Sequence, residues 1–170
     1  MGKKILITGG IKSGKSRFAL ELAREIKEAK KIFIATARPI DKEMQDKIEK
    51  HKRERGSDFR TVEEAIHLGY VLKEINPKTA IIDCLTLWLS NLFFEVSGTE
   101  RLSEIENFIG ELDKFGGNVI TVTNEVGCGI IPQNEIARSY QSELGILNQR
   151  TAQICDEVYM LISGIPMKIK

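Results

Sequence analysis

Apolar residues in this chain fall in short runs, separated by longer stretches where they recur every three or four positions. Lys4 to Thr8 (Lys-Ile-Leu-Ile-Thr) is a compact apolar run ending in glycines, the pattern of a buried strand. Lys15 to Ala29 follows, with Phe18, Leu22 and Ile26 four apart and Ala19 and Ala23 beside them, which predicts an amphipathic helix. Lys31 to Thr36, Thr79 to Asp83, Asn118 to Thr123 and Glu157 to Ser163 repeat the strand signature. Asp41 to Arg55 is strongly charged, with Met44, Ile48 and His51 on one helical stripe. Thr61 and Glu64 read as a capping box opening a helix through Ala65, Leu68, Leu72 and Ile75, which Asn76-Pro77 stops. Leu85 to Phe94 reads as helical. Ser103 and Glu106 read as a second capping box, heading a helix with Ile105, Phe108, Ile109 and Leu112, and Gln133 to about Asp156 is mostly helical in pattern. Strands alternating with helices imply right-handed crossovers and a mainly parallel sheet, an α/β fold. Ligands on such sheets bind at the carboxyl ends of the strands. The glycines after Thr8, then Thr36, Asp83 and Asn124-Glu125, all fall there.

Composition narrows the class. The 170 residues predict a single domain spanning 1–170, large enough for a substantial core. Hydrophobic residues at 42% and charged residues at 29% exclude general disorder and fibrous classes. The formal net charge of +1 argues against a polymeric nucleic-acid partner, and the single Trp and few aromatics offer no stacking platform for one. Cys84, Cys128 and Cys155 are far apart and lack zinc-ligand spacing. They read as reduced thiols in a cytoplasmic protein. The N-terminus lacks signal-peptide features. The longest uncharged stretch, Cys84 to Phe94, falls short of the roughly 18 apolar residues of a membrane span, so no stable insertion is expected.

The sharpest chemical signal is Gly9-Gly10-Ile11-Lys12-Ser13-Gly14-Lys15-Ser16. It matches G-x4-G-K-[ST], between an apolar strand and an amphipathic helix. Glycines there let backbone N–H groups turn toward phosphate oxygens. Lys15 would reach the β- and γ-phosphates, Ser16 would ligate Mg²⁺, and the helix dipole points its positive end at the anion. Asp83, ending an apolar strand, reads either as the carboxylate supporting that metal or as a cap of the next helix. Kinases, GTPase switches and motor ATPases share such a loop. The absence of an Asn-Lys-x-Asp guanine signature weakens the switch class.

There are two histidines. His67 falls inside the helix expected from Thr61 and reads as structural. His51 is surrounded by Lys50, Lys52, Arg53 and Arg55. These cations suit a polyphosphate and disfavour the imidazolium, leaving a neutral nitrogen able to attack phosphorus. By spacing alone, packing beside Met44 and Ile48 is the competing role.

Ordered blocks run along nearly the whole chain. They begin with Thr8-Gly9-Gly10 into Ser13-Gly14-Lys15-Ser16, Ile34-Ala35-Thr36, Asp41 to Met44, Ile48-x-x-His51-x-x-x-Arg55 and Thr61-x-Glu63. Asp83-Cys84-Leu85-Thr86, Asn91-Leu92, Thr123-Asn124-Glu125-Val126-Gly127 and Gly129-Ile130-Ile131-Pro132 follow. Arg138, Gly145, Asn148-Gln149, Ala152, Asp156-Glu157-Val158 and Ser163-Gly164-Ile165-Pro166 complete them. In these blocks the chain resembles the bifunctional adenosylcobinamide kinase / adenosylcobinamide-phosphate guanylyltransferases of cobalamin biosynthesis.

The resemblance implies a RecA-like phosphate-loop fold and a homo-oligomer, a trimer. It implies two reactions. A nucleoside triphosphate, ATP or GTP, phosphorylates adenosylcobinamide. GTP then donates GMP to a histidine, matched here by His51, with release of pyrophosphate, and the GMP passes to adenosylcobinamide phosphate. Ala35, Thr36, Ala37, Lys52, Arg53, Glu54, Glu63 and Asp83 would contact the guanine nucleotide. Glu63 suits the guanine N1–H and 2-amino group, unless it is a first-turn helix carboxylate. Lys12 stands where the family often has Arg, keeping charge but losing a bidentate fork. Phe59 stands where it often has Trp. The kinase base is not evident, and Asn124 and Glu125 read either as a turn or as part of the site. The competing functions are a kinase acting alone on a small alcohol, and a RecA-type nucleotide-dependent binding protein.

Overall fold

The computed structural model describes residues 2–28, 31–39, 42, 45, 46, 49, 52, 56–75 and 79–170. Seven strands, β1 (Lys4–Gly9), β2 (Lys31–Ala35), β3 (Phe59–Glu63), β4 (Thr79–Asp83), β5 (Asn118–Val122), β6 (Glu157–Ile162) and β7 (Ile165–Lys168), form one sheet. Its order is β3-β2-β4-β5-β1-β6-β7. All neighbouring pairs are parallel except β6 with β7. The named helices are α1 (Lys15–Glu25), α2 (Leu68–Glu74), α3 (Leu85–Glu95), α4 (Gly98–Lys114) and α5 (Glu135–Ile154).

Strand order and the right-handed crossover rule together decide which face each connection covers. The connections β1 to β2 and β2 to β3 both run toward the β3 edge, so they share a face. Those from β3 to β4, β4 to β5 and β5 to β6 run the other way and cover the opposite face. Packing agrees. Ala19, Leu20 and Ala23 of α1 bury against Ile5, Ile7, Ile81, Ile120 and Val122. On the other side Ile34, Ala80, Ile82 and Val119 meet α2 through α5. Trp88 of α3 is fully buried there, donates its indole N–H to the Ile66 carbonyl at 2.7 Å, and lies 5.0 Å from the Phe108 ring. A core buried on both faces explains why the central strands read as unbroken apolar runs.

The α/β expectation and most of the element types hold, with local corrections. Thr61 and Glu64 do not open a helix. Thr61 lies in β3, opposite Phe33 of β2, and α2 begins only at Leu68. Glu64 still performs a cap-like role, accepting from the Ile66 and His67 N–H groups at 2.8 and 2.9 Å, within the turn before α2. His67 is therefore the N-cap residue of α2 rather than mid-helix, and its Nδ1 meets Glu104 of α4 at 2.9 Å. The second capping box is Ser97 with Glu100, six residues before the pair expected from the sequence. Ser103 lies inside α4. α1 ends at Glu25, short of Ala29. α5 starts at Glu135, capped by Asn134. The Asn76-Pro77 stop lies outside the described residues. β7 has no counterpart in the sequence pattern. It folds back on β6 through Ser163-Gly164, both at positive φ, the geometry a two-residue hairpin needs.

The position of this cap gives a direct check. Ser97→Ala should cost about 1 kcal/mol of unfolding free energy. Ser103→Ala, at an exposed helix-interior position, should leave stability unchanged or raise it by up to about 0.5 kcal/mol. Urea denaturation of the two variants distinguishes these outcomes.

Candidate active site

The sheet aligns the sequence-derived residues along one edge. Glu63 is in register with Ala35, Ala35 with Asp83, Asp83 with Val122, and Val122 with Ile7. Side chains alternate along a strand, so Asp83 shares a face with Ile81, which packs under α1. By the same alternation Glu63 shares a face with Phe59, which lies in that core too. Both carboxylates therefore end their strands on the side covered by α1. Glu63 ends a strand, so the first-turn helix role does not apply to it. Cys84, not Asp83, is the N-cap residue of α3, and no side chain caps that helix.

β1 delivers the phosphate loop at this edge. Gly9 has φ 145°, and a Cβ there would sit 2.5 Å from the Leu161 carbonyl oxygen. Only glycine satisfies both conditions. Gly14, at φ 97°, is the N-cap residue of α1 and provides no side-chain cap, and the first turn carries no acidic residue. The first-turn N–H groups are thus left facing the loop, where an anion would satisfy them. Gly10, Ile11 and Lys12 are exposed, Ser13 and Lys15 are buried, and Ser16 is half-buried. Lys12 holds φ 56°. The Gly164 N–H of the β6–β7 turn donates to the Ser13 carbonyl at 3.1 Å, tying the C-terminal hairpin to the loop.

Lys15 is only 7% exposed, and its ammonium donates to the Gly10 carbonyl at 2.6 Å and the Ser13 hydroxyl at 3.4 Å. Burial pushes its pKa below the ordinary lysine value, while Cys84 and Asp83 pull the other way. A buried ammonium whose hydrogen bonds, among the described residues, go to neutral acceptors is a preformed place for an anion. A cleft of about 570 Å³ opens beside it. Its walls include Lys12, Ser16, Arg17, Arg24, Asp83 and Asn124. Cys84 also lines it, but burial and Asp83 push the thiol up to about 12, so it stays protonated and unreactive.

Ala35 is buried and Ala37 half-buried at the end of β2. Thr36 is fully buried and turned into the fold. Its N–H donates to the Asp83 carbonyl at 3.1 Å. Its hydroxyl donates to the Cys84 carbonyl and accepts from the Cys84 N–H, both at 2.8 Å. Thr36 thereby braces the cis peptide between Asp83 and Cys84. Asn91 of α3 donates to the Thr36 and Ala65 carbonyls at 2.8 and 3.2 Å. Lys52 pairs with Glu63, whose side chain is 62% exposed. His51, Arg53 and Glu54 lie outside the described residues.

Asp83 and Ser16 line one cleft and offer a carboxylate and a hydroxyl. Hard oxygens of this kind suit Mg²⁺, which keeps several waters and takes further oxygens from substrate phosphates. No cluster of three or more His, Cys, Asp or Glu able to hold a metal occurs among the described residues, so a dedicated protein cage is not what this donor set resembles. The sequence pattern does not reveal Arg17 and Arg24 on the cleft wall, or Gly164 behind the loop. The Ser-Gly dipeptide between apolar runs is the turn signal that could have pointed to the last.

Comparison with known proteins fits this geometry. Among solved structures, a DnaB-like replicative helicase superposes with a TM-score of 0.52 at 15% identity, covering 93% of this chain and 46% of that one. A type III secretion ATPase superposes at 0.55 and 12% identity, covering 95% and 51%. Both place the fold in the RecA-like phosphate-loop class. The bifunctional adenosylcobalamin biosynthesis protein CobU of Escherichia coli is 35% identical, over 98% of this chain and 99% of its own. The corresponding CobP of Pseudomonas aeruginosa is 39% identical, over 97% and 96%. No described helix is long and apolar enough to cross a membrane. Residues 5–169 match the model of one family, and with these relatives they show that the chain belongs to the cobinamide kinase / cobinamide phosphate guanyltransferase family.

Proposed function

We propose that this chain performs both family reactions from one triphosphate site at the Lys15 loop. The observation that carries this is the buried ammonium of Lys15, bonded to neutral acceptors beside the uncapped first turn of α1. In the kinase half, ATP or GTP gives its γ-phosphoryl group to the hydroxyl of adenosylcobinamide. In the transferase half, a ring nitrogen of His51 attacks the α-phosphorus of GTP. A nitrogen–phosphorus bond forms and pyrophosphate leaves. Adenosylcobinamide phosphate then takes the GMP from the histidine, giving adenosylcobinamide-GDP. Two in-line displacements replace one difficult step.

The sheet edge supports this division of labour. The first-turn N–H groups of α1 and the Lys15 ammonium hold the outer phosphates. Ser16 and Asp83 would hold Mg²⁺, which when bound offsets charge on those phosphates. Glu63 stands four strands from β1, about 19 Å across the sheet. A guanine there and outer phosphates at Lys15 require an extended nucleotide laid along the row Glu63, Ala35, Asp83. The β2–β3 connection carries His51, and its Lys52 already meets Glu63 on that face. Residues 1–170 act as one unit, since both cores share one sheet. We place it in the cytoplasm, where free thiols such as the exposed Cys128 persist. A homotrimer fits the exposed edge formed by Ile165, Met167 and Ile169, which a second copy would cover.

Incubation with α-labelled GTP and Mg²⁺ should leave an acid-labile label on the wild-type chain and none on His51→Ala. An unlabelled wild type refutes guanylyl transfer through the protein. Lys15→Ala should weaken triphosphate binding by about 10- to 150-fold, the worth of a charge-assisted bond, as read by calorimetry. Light scattering of the purified chain should report three times its 19.1 kDa mass.

A further inference from the structure

Asn124 stands at the carboxyl end of β5, the strand between the phosphate-loop strand β1 and the Asp83 strand β4. Its side chain lines the Lys15 cleft, continuing the face of Ile120 and Val122 under α1. Its backbone is held from several sides. The Thr86 hydroxyl of α3 accepts from the Asn124 N–H at 2.8 Å. The Asn148 amide of α5 donates to the Asn124 carbonyl at 3.1 Å. Thr123 and Glu125, on either side, donate their N–H groups to the Ile7 and Gly9 carbonyls at 2.9 and 3.1 Å. The clamps are themselves braced. The Thr123 hydroxyl donates to the Asn148 side-chain carbonyl at 2.8 Å, and the Tyr140 hydroxyl donates to the Thr86 carbonyl at 2.8 Å. Among the described residues, no hydrogen bond engages the Asn124 side chain itself. Glu125 differs, because its carboxylate accepts from the Gly127 N–H at 2.7 Å.

Helices and a strand that converge to fix one backbone, while leaving its amide uncommitted in a cleft, build a preorganised donor. We propose that Asn124 is a catalytic residue of the kinase half-reaction, its amide N–H donating to an oxygen of the γ-phosphoryl group in flight, and that Thr86 and Asn148 are its positioning residues. This rests on the assignment of the outer phosphates to the Lys15 loop. In the step, the acceptor hydroxyl oxygen bonds to the γ-phosphorus. The bond from that phosphorus to the β,γ-bridging oxygen breaks, the nucleoside diphosphate leaves with the electron pair, and the hydroxyl proton is released to water. Charge on the transferred group's oxygens develops where the amide points. During guanylylation of the histidine the reacting phosphorus is the α one, and the γ-phosphate departs within pyrophosphate. The same amide then offers ground-state binding alone.

The test measures both half-reactions on the same variants, as steady-state phosphorylation of cobinamide and single-turnover labelling from α-labelled GTP. Asn124→Ala should lower the kinase kcat by about 10²–10³-fold, the usual loss for one preorganised donor. Labelling should fall by no more than about 10-fold, so the ratio of the two activities shifts. Its thermal midpoint should match wild type, because the side chain has no internal partner among the described residues. Thr86→Val and Asn148→Leu should shift the ratio the same way by a smaller factor, and Thr86→Ser should restore it. A kinase kcat within about 3-fold of wild type for Asn124→Ala, or an equal loss in both assays, overturns the proposal. Lys15→Ala run alongside tests the shared site separately: a variant that loses only one activity refutes that assignment. A wild-type chain that does not phosphorylate cobinamide refutes both.

Discussion

The organisation of this protein depends on a cation drawn out of water and hydrogen-bonded to neutral groups. Lys15 is buried at the start of α1, and its ammonium leans on a carbonyl and a hydroxyl. Desolvating such a charge is unfavourable unless a partner completes it. In the function proposed above, the completing partner comes from outside, as phosphate oxygens. The remaining features of the loop follow from the same need. Glycines bring backbone N–H groups close, the first turn of α1 is left without a side-chain cap, and the β6–β7 hairpin braces the loop from behind through Gly164.

The parallel sheet turns that local requirement into a site. Because neighbouring strands are in register, the ends of β3, β2, β4 and β5 line up with β1, and each contributes one kind of chemistry. Glu63 and Asp83 carry charge, Thr36 braces the Asp83–Cys84 backbone, and Asn124 presents an amide. These four residues are far apart in sequence. Their neighbourhood is a property of strand order. The crossover rule adds a further consequence, since it places the β2–β3 connection, whose Lys52 meets Glu63, over the same face as α1. On the proposed reading, a protein with two phosphorus-centred reactions uses one loop to hold outer phosphates while different groups approach different phosphorus atoms.

The sequence misled where local chemistry was sound but its context was not. Thr61-x-x-Glu64 has the composition of a capping box, yet β2 offers Thr61 a strand partner. Backbone pairing with Phe33 outweighs the cap, leaving Glu64 to accept hydrogen bonds in the turn. Ser103 and Glu106 have the right spacing too, but Ser97 and Glu100 come first along the chain and set the start of α4 more than a turn earlier. A capping signature marks where a helix can begin; competing pairings decide where it does.

By itself the sequence determined the alternating α/β order, the phosphate loop and the candidate role of Lys15, because these depend on periodicity and on contiguous residues. Its many matched blocks also pointed to the family. Only the tertiary structure decided that Thr36 spends its hydroxyl inside the fold, that Cys84 is a protonated bystander, that β7 closes the sheet as an antiparallel edge, and that Thr86 and Asn148 converge on Asn124. Those facts require partners dozens of residues apart. A hydrogen bond between Thr36 and Cys84, or between Asn148 and Asn124, leaves no periodic trace in the chain, and exists only once strand order has brought the two ends together.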